Sequence, residues 1–436
     1  MSESPAVVET QGLRTHPLTG VVNGALWAAA AVFGLGSSTI SGEGWKGLNP
    51  VLSGLIMLCG GLALGMGVGF AMWWFTRYVI DGTELRINSG IITKSSRRIP
   101  YERIQSVDIT EPVVARVFGL AELRIEMAGG KNSRSSLRFL KLDDAAALRQ
   151  LLLNKAHGHD ELAPAEQRSV ITTVPPVRIM IGTLLSLDFL FAVLVVIGLI
   201  ATGIWFGSVL ALLGGIIPFG SWLAQIVGKR VIQQWDFTLS RGDRGLRIER
   251  GLLSRTSQTI PYDRVQGIAV KEPFVWRRLG WQRLEVDVAG YASQGGDENG
   301  TNSSSTLLPI SDRPLADAIM GELLPGADPR IEERTYASPR SWIFAPIGYR
   351  YRWIAANAHT FVASEGWIER TTSIVPHHKT QSVELRQGPL QRWRRVATVE
   401  VHSPKGPVDA DGRHLEQTAA RAVLLAQLDR ARAARS

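Results

Sequence analysis

The amino-acid sequence predicts an α+β membrane protein with four transmembrane helices in two hairpins and three small β-rich modules, each closed by a C-terminal helix. Three observations predict this fold class. One phrase occurs three times, several apolar stretches are long enough to cross a bilayer, and a helix-like pattern follows each copy of the phrase. Internal repeats come first in the interpretation, because each repeat is one folding unit of the architecture.

The repeated phrase is clearest in its first two copies. It reads IPYERIQSV at Ile99–Val107, IPYDRVQGI at Ile260–Ile268 and VPHHKTQSV at Val375–Val383. A glycine opens a short apolar-then-polar run before each copy, at Gly90, Gly251 and Gly366. The spacing between copies is unequal, whereas a solenoid keeps one period. The sequence therefore predicts three modules that are separated by other segments.

The segments around the first two modules are predicted to be membrane spans. The apolar stretches are roughly residues 19–40, residues 50–75 and two helices within residues 179–227, joined by a turn near Thr202-Gly203. A bilayer core of about 30 Å needs about 20 helical residues. The alternative is buried core helices of a soluble protein, which rarely run about 25 residues without a charge. Transmembrane hairpins are the favoured interpretation.

The charges that flank these stretches predict their orientation. The basic flanks on the side of the long hydrophilic segments are Arg14, Arg77, Arg178, Lys229 and Arg230. The opposite connections carry almost no net charge. Cytoplasmic ends of spans carry an excess of Lys and Arg. The amino terminus and all three modules are therefore expected on the cytoplasmic face of the inner membrane.

These features divide the chain into eight segments. We expect a cytoplasmic tail at 1–18, the first hairpin at 19–76, module one at 77–160, a linker at 161–178, the second hairpin at 179–228, module two at 229–325, a linker at 326–349 and a divergent module three at 350–436. Within module one, alternating apolar residues predict strands at 104–109 and 121–127, followed by a helix at Asp144–Lys155. Equivalent helices are predicted from Asp312 to Leu324 and from Leu415 to Ala433.

The order of membrane hairpin, β-rich module and a phrase such as Pro100-Tyr101-Glu102-Arg103 resembles the bacterial PH-like membrane proteins of the YdbS and YdbT type. The resemblance covers nearly the whole chain and implies three PH-like β-barrel modules, each with a C-terminal helix. It implies no reaction. Module three departs from the pattern, because His377-His378 and Lys379 replace the tyrosine, the acid and the arginine.

Two groups of basic residues are candidate ligand-binding positions. One is a rim of module one formed by Lys94, Arg97, Arg98, Lys131 and Arg134, which suits phosphate groups of anionic lipids. The other is the motif arginine, Arg103 and Arg264, expected on the same strand face as Gln105 and Gln266. The simpler alternatives are an ordinary solvated basic surface and a turn in which the arginine pairs with a neighbouring acid. Both alternatives remain open at the level of sequence.

Asp188 is a candidate intramembrane polar residue, because it lies about ten residues into the third predicted span. A charge there costs at least about 2.5 kcal/mol and usually faces the interior of a helix bundle. A role in helix packing is favoured over a role in transport. The single cysteine, Cys59, is interpreted as a packing residue of the second span.

Catalytic and metal-binding motifs are not found in the sequence. It contains no HExxH, no GxSxG, no P-loop and no Rossmann glycine pattern. We therefore expect no catalytic residues, no metal site and no cofactor. Nucleic-acid binding is disfavoured despite the net charge of +9, because the basic residues are interspersed with acids.

Two functional interpretations remain. The first is a non-enzymatic, membrane-anchored scaffold whose modules bind membrane lipids with anionic headgroups, protein partners or other copies of the chain. The second is a transporter or envelope-stress component in which the helix bundle acts and the modules regulate it. A polar pathway leading from Asp188 would favour the second interpretation.

Overall fold

The computed structural model describes residues 17, 50–89, 95–127, 134–156, 169–207, 209–242, 245–289, 306–403 and 408–435. The predicted first span lies outside these residues. The chain divides into two compact units, Met1–Ala165 and Glu166–Ser436. The first unit contains module one, and the second contains modules two and three.

The first unit has one long helix and two antiparallel sheets. Its elements are α1 (Pro50–Trp74), β1 (Arg77–Ile80), β2 (Glu84–Ser89), β3 (Ser95–Pro100), β4 (Ile104–Pro112), α2 (Val113–Val117), β5 (Leu120–Met127), β6 (Arg134–Lys141) and α3 (Leu142–Ala156). The strands pair in the orders β1-β2-β3 and β4-β5-β6. The strands and the closing helix of module one agree with the sequence prediction.

The core of module one lies between its sheets and α3. Alternate residues of a strand point to the same face, so Leu123 and Ile125 of β5 are fully buried while Arg124 between them is exposed. Leu148 and Leu152 cover this face from α3. One amphipathic helix therefore closes the apolar face of the bent sheet.

The second unit repeats this plan twice. Its elements are β7 (Ser169–Val174), α4 (Pro176–Leu184), α5 (Leu187–Phe206), α6 (Val209–Val227), β8 (Phe237–Gly242), β9 (Gly245–Arg250), β10 (Ser254–Pro261), β11 (Val265–Pro273), α7 (Phe274–Leu279), β12 (Trp281–Val288), β13 (Thr306–Asp312), α8 (Arg313–Leu323), β14 (Thr335–Tyr336), β15 (Trp353–Ala356), β16 (Thr360–Glu365), β17 (Glu369–Pro376), β18 (Ser382–Arg386), α9 (Pro389–Arg394), β19 (Val396–His402), β20 (Ala410–Glu416) and α10 (Gln417–Ala433). Helices α8 and α10 occupy the place that α3 has in module one.

Modules two and three share one sheet. Its strand order is β13-β12-β11-β17-β16-β15-β14, so that β11 of module two pairs antiparallel with β17 of module three. The pairs run from Ile268 opposite Ile374 to Pro273 opposite Glu369. Each module covers the strand edge that the other would leave with unpaired backbone groups. Modules two and three therefore pack together through a shared sheet.

Several local predictions differ from the structure. β7 and β14 lie in the two segments expected to be linkers, and they pair with β8 and β15. The hairpin turn lies at Gly207, which has a φ of 61°. The predicted turn residues, Thr202-Gly203, instead lie inside a continuous helix, where the Thr202 hydroxyl donates to the Gly198 carbonyl. The helix of module three begins at Gln417 because Leu415 belongs to β20, where it is buried.

Four transmembrane helices are not confirmed. Among the described residues, Leu187–Phe206 is one helix that is long and apolar enough to cross a membrane. α1 contains a shorter apolar segment, Cys59–Ala71. α5 packs against α6 as a helical hairpin, and α6 contains Pro218.

Candidate binding cleft and hairpin junction

The repeated phrase forms the same turn in all three modules. A one-turn 3₁₀ helix occurs at Tyr101–Arg103, Tyr262–Arg264 and His377–Lys379. A proline precedes each turn and ends a strand, because its ring fixes φ and it lacks a backbone donor. The expectation that Arg103 and Gln105 share a strand face is therefore wrong, since the arginine lies in the turn and the glutamine in β4.

In module one, the motif tyrosine holds the turn between β1 and β2. The Tyr101 hydroxyl donates to the Asp81 carbonyl at 2.7 Å, and the Tyr101 amide donates to the Thr83 carbonyl at 3.2 Å. The ring is 4% exposed, and burial raises the pKa of its hydroxyl to about 12. This residue is a structural clamp between two turns of the same module.

In module three, His377 makes the equivalent clamp. Its Nε2 lies 3.0 Å from the Asn357 carbonyl. Asn357 precedes His377 by 20 residues, the same separation as between Asp81 and Tyr101. Nδ1 lies 3.1 Å from the amide nitrogen of Gln427 on α10. The tautomer protonated at Nε2 satisfies both bonds. Burial lowers the pKa of His377 and favours this neutral form.

In module two, the tyrosine faces a different partner. The Tyr262 hydroxyl donates to Glu322 of α8 at 2.8 Å, and Arg241 donates to the same carboxylate at 2.7 Å. The bond from Arg241 holds the pKa of Glu322 below its usual value, whereas burial raises the pKa of Tyr262 to about 12. The ring is half-buried instead of enclosed. Module two therefore presents this side chain toward open space.

That open space is a cleft of about 560 Å³ between modules two and three. The two motif turns meet there, because the Lys379 ammonium donates to the Asp263 carbonyl at 2.9 Å. We call it the motif cleft, and its lining residues are Tyr262, Asp263, Val265, Glu322, Leu323, Leu324, Pro325, Ala358, His359, Pro376, His378, Lys379 and Ala434. It is large enough to hold several side chains of a bound segment.

The lining of the motif cleft combines apolar contact with charges of both signs. Leu323, Leu324 and Pro376 supply apolar surface, while Glu322 and Lys379 supply opposite charges. Few polar groups around an apolar floor fix the orientation of a bound molecule. The sequence pointed to the motif but not to this cleft, since Tyr262 and His378 meet only through the pairing of β11 with β17.

The basic rim predicted for module one is only partly described. Lys94 and Lys131 lie outside the described residues, and Arg134 begins β6 opposite Glu126. Arg97 lies opposite Ile87 and Arg98 lies opposite Arg86, so successive residues of β3 point to opposite faces. These two arginines therefore do not share one face of the sheet.

Asp188 lies at the base of the second hairpin. Leu185 and Ser186 interrupt the helix that the sequence predicts as continuous, so Asp188 lies in the first turn of α5. Its carboxylate accepts a hydrogen bond from Arg230, which follows α6. The prediction that Asp188 lies about ten residues into one unbroken helix is therefore wrong. The contact ties the two ends of the hairpin together.

A void of about 20 Å³ lies beside Asp188 and Arg230, and residues of module two and of β17 also line it. Lys271, Trp276 and Arg283 of module two line it, together with Glu369. The Trp276 indole donates to the Gly182 carbonyl of α4 at 3.0 Å. Helix α4, which leads into the hairpin, is therefore joined to module two by a hydrogen bond as well as by the chain.

One trio of possible metal ligands occurs among the described residues of module three. The ligand atoms of Glu384, Glu400 and His402 lie within 4.8 Å of one another. Arg386 already binds Glu400 at 3.0 Å, and the neighbouring side chains are largely exposed. The trio is thus an ion-paired surface of the β18–β19 pair, and no site is assigned to it.

The sequence matches a family and a curated relative. A family model described as "Bacterial PH domain" matches residues 28–156, 173–327 and 334–432. The chain is also 23% identical over 291 residues to the "UPF0699 transmembrane protein YdbT" of Bacillus subtilis (strain 168). This match covers 57% of the chain and 57% of that relative.

Proposed function

The chain belongs to the bacterial PH domain family, and from this premise we propose that it is a non-enzymatic, membrane-anchored scaffold. In this proposal the α5–α6 hairpin anchors the chain in the inner membrane. Modules two and three stand on its cytoplasmic side and bind a segment of a protein partner in the motif cleft. Anionic lipids are the further partners that we propose for the basic surfaces of the modules.

The single observation that carries the proposal is the pairing of β11 with β17. It makes one continuous sheet from two modules and brings the two motif turns to the same cleft. A rigid site binds with less loss of conformational entropy than one formed by independent domains. This arrangement is what a scaffold needs in order to hold a partner at a fixed place above the membrane.

The surroundings of Asp188 support anchoring over transport. A transporter needs polar groups near the bilayer midplane. Asp188 instead pairs with Arg230 at the end of the hairpin nearest module two. The interior of the α5–α6 hairpin contributes small buried residues, Ala192 and Gly203. Close packing through small residues is typical of helices that associate in membranes.

Site-specific photo-crosslinking in cells tests this proposal. A photoreactive amino acid replaces His378 in the motif cleft, and a matched variant carries it at Arg421, an exposed position of α10. We expect a discrete protein adduct from position 378 and none of the same mass from position 421. Purified adducts are identified by mass spectrometry.

A second variant separates cleft binding from chance proximity. Ala358→Trp places a bulky ring in the motif cleft without touching the β11–β17 pairs. The adduct from position 378 should disappear in this background, while a circular dichroism spectrum like that of the parent protein shows that the fold is kept. An adduct that persists in the A358W background, or equal adducts from both positions, would contradict the proposal.

A further inference from the structure

Two glycine turns of the second unit expose pairs of large apolar residues. Gly251 has a φ of 114° and an added Cβ would lie 2.0 Å from the Ser254 carbonyl oxygen. Gly366 has a φ of 95° and its Cβ would lie 1.9 Å from the Glu369 carbonyl oxygen. Only glycine fits these turns without strain. The same tight turn is thus built before the repeated phrase in modules two and three.

The residues that follow each glycine form what we call the apolar tips, Leu252 with Leu253 and Trp367 with Ile368. Their exposed fractions are 42% and 52% in the first tip, and 41% and 52% in the second. Single exposed apolar residues are ordinary, but paired ones at an equivalent turn of two modules are not. The tips contribute nothing to either module core, so their apolar character needs another explanation.

The first tip lies at the base of the membrane hairpin. The Leu252 amide donates to the Ile232 carbonyl at 2.9 Å, and the Gly251 amide donates to the Trp235 carbonyl at 2.8 Å. Ile232 ends the turn of helix that continues α6. These backbone bonds fix the tip beside the point where the chain leaves the hairpin.

The second tip is held next to a basic and apolar helix of module two. Arg277 of α7 donates to the Trp367 carbonyl at 3.0 Å. On the same short helix Phe274 is 40% exposed, and the guanidinium of Arg278 lies 5.2 Å from its ring centroid. Arginine beside exposed aromatic and aliphatic side chains complements an anionic lipid surface.

α4 lies beside α7, since the Trp276 indole of α7 donates to the Gly182 carbonyl of α4. Its exposed residues follow a helical stripe at positions i, i+3, i+4 and i+7, namely Val177, Met180, Ile181 and Leu184. The opposite face is packed on module two so closely that a Cβ at Gly182 would lie 2.0 Å from the Ile310 side chain. Such a helix, apolar on its free face and leading directly to a span, is typical of the membrane interface.

We propose that the apolar tips, α4 and the exposed side of α7 form one surface that inserts into the headgroup layer of the bilayer. The surface seats modules two and three against anionic lipids around the hairpin. It is separate from the motif cleft and rests on the proposed membrane anchoring. Its occupant is the lipid bilayer, since its apolar groups adjoin the hairpin and its arginines match anionic headgroups.

Depth-dependent fluorescence quenching of the full-length protein tests this inference. In a Cys59→Ser background, an environment-sensitive probe is attached at Leu253→Cys or Trp367→Cys after reconstitution into nanodiscs of phosphatidylcholine and phosphatidylglycerol. Lipids with a nitroxide near the headgroup are the quencher for positions 253, 367 and 425, and lipids with a nitroxide deep in the acyl chain are the quencher for position 194. Leu425→Cys is the matched control, because Leu425 is an exposed leucine of α10 outside this surface, 61% exposed. Leu194→Cys, in the middle of α5, reports on the hairpin itself.

We expect blue-shifted emission and quenching at positions 253 and 367, and neither effect at position 425. R277Q/R278Q should reduce the shift at position 367 more than that at position 194. If only the probe at 194 responds, the seating inference is wrong and the anchor remains. If the probe at 194 is also unquenched, the anchoring proposal fails together with the inference.

Discussion

Modules two and three use the same turn in different ways. In module three His377 is enclosed and bonds to a carbonyl of its own module, as Tyr101 does in module one. In module two Tyr262 is half-buried and bonds to Glu322 at the edge of the motif cleft. One sequence position therefore serves as an internal clamp where it is enclosed, and as part of the lining of the motif cleft where a neighbouring module leaves it open.

The largest expected difference comes from removing the ring. Tyr101→Ala deletes a side chain that is 4% exposed and should cost about 3–5 kcal/mol of stability. Tyr262→Ala should cost less, because its ring is only partly buried. Hydrogen exchange of the full-length protein checks this, with loss of protection expected in β2 and β3 for Y101A. Equal loss around the turns of both modules would mean that the two tyrosines have one role.

Asp287 gives module two a pH dependence of its own. This side chain is 1% exposed, and burial raises the pKa of its carboxyl group to about 7. Because the folded-state pKa lies above the unfolded value, this contribution to stability is complete below about pH 4 and is lost as pH rises through about 7. Asp287→Asn should therefore raise the free energy of unfolding by roughly 1–3 kcal/mol at pH 8 and change it little at pH 4.

Thermal unfolding of D287N at the two pH values is the measurement. Asp312→Asn is the matched control, because Asp312 is exposed and paired with Arg178. A stabilisation by D287N that is the same at pH 4 and pH 8 would contradict a raised pKa.

Module three should respond to acid in the opposite direction. Burial lowers the pKa of His377, and burial with nearby Arg352 and Arg413 lowers that of His414 to about 4. The unfolded state then binds protons first, so stability is lost as pH falls below about 6.5. Each histidine should raise the unfolding constant by at most about tenfold per pH unit over this window. Hydrogen exchange in β16, β17 and α10 between pH 7 and pH 5 measures it.

Module one is the internal control for that experiment, since residues 77–156 contain no histidine. Its protection, corrected for the intrinsic exchange rate, should change less than that of module three over the same pH range. A parallel loss in both modules would place the acid sensitivity elsewhere.

The smallest expected effects come from the hydroxyl groups alone. Tyr101→Phe leaves the Asp81 carbonyl without its partner and should cost about 1 kcal/mol. Tyr262→Phe should cost less, because Glu322 keeps its two bonds from Arg241. Thermal shifts compare the two variants. Y262F should nevertheless weaken the adduct from position 378, whereas Y101F should leave it unchanged.

Much of each module could be predicted from the sequence, because local patterns determine it. The alternation in Leu120–Met127 and the helix after it depend on neighbours in the chain, and both predictions agree with the structure. A turn at Tyr101-Glu102-Arg103 stayed one alternative at the level of sequence, because this segment is equally compatible with the start of a strand. The available signal for the turn was Pro100, which precedes the turn containing the charged residues Glu102 and Arg103.

The motif cleft could not be predicted, because it depends on a contact between distant strands. β11 and β17 are edge strands of separate modules until they pair, and nothing in either strand encodes the other as its partner. The break at Ser186 had a weak local signal, since a serine after an apolar turn is a common helix start. That break changed the position assigned to Asp188.

The central claim is that modules two and three form one rigid platform, and pulsed electron spin resonance tests it most directly. Spin labels at Ala318→Cys on α8 and Ala422→Cys on α10 span the two modules in a Cys59→Ala background. A pair at Ser382→Cys and Ala422→Cys, within module three, gives the reference width. We predict a single distance distribution between modules that is as narrow as the reference. A broad or multimodal distribution between positions 318 and 422 would contradict the shared sheet and the scaffold built on it.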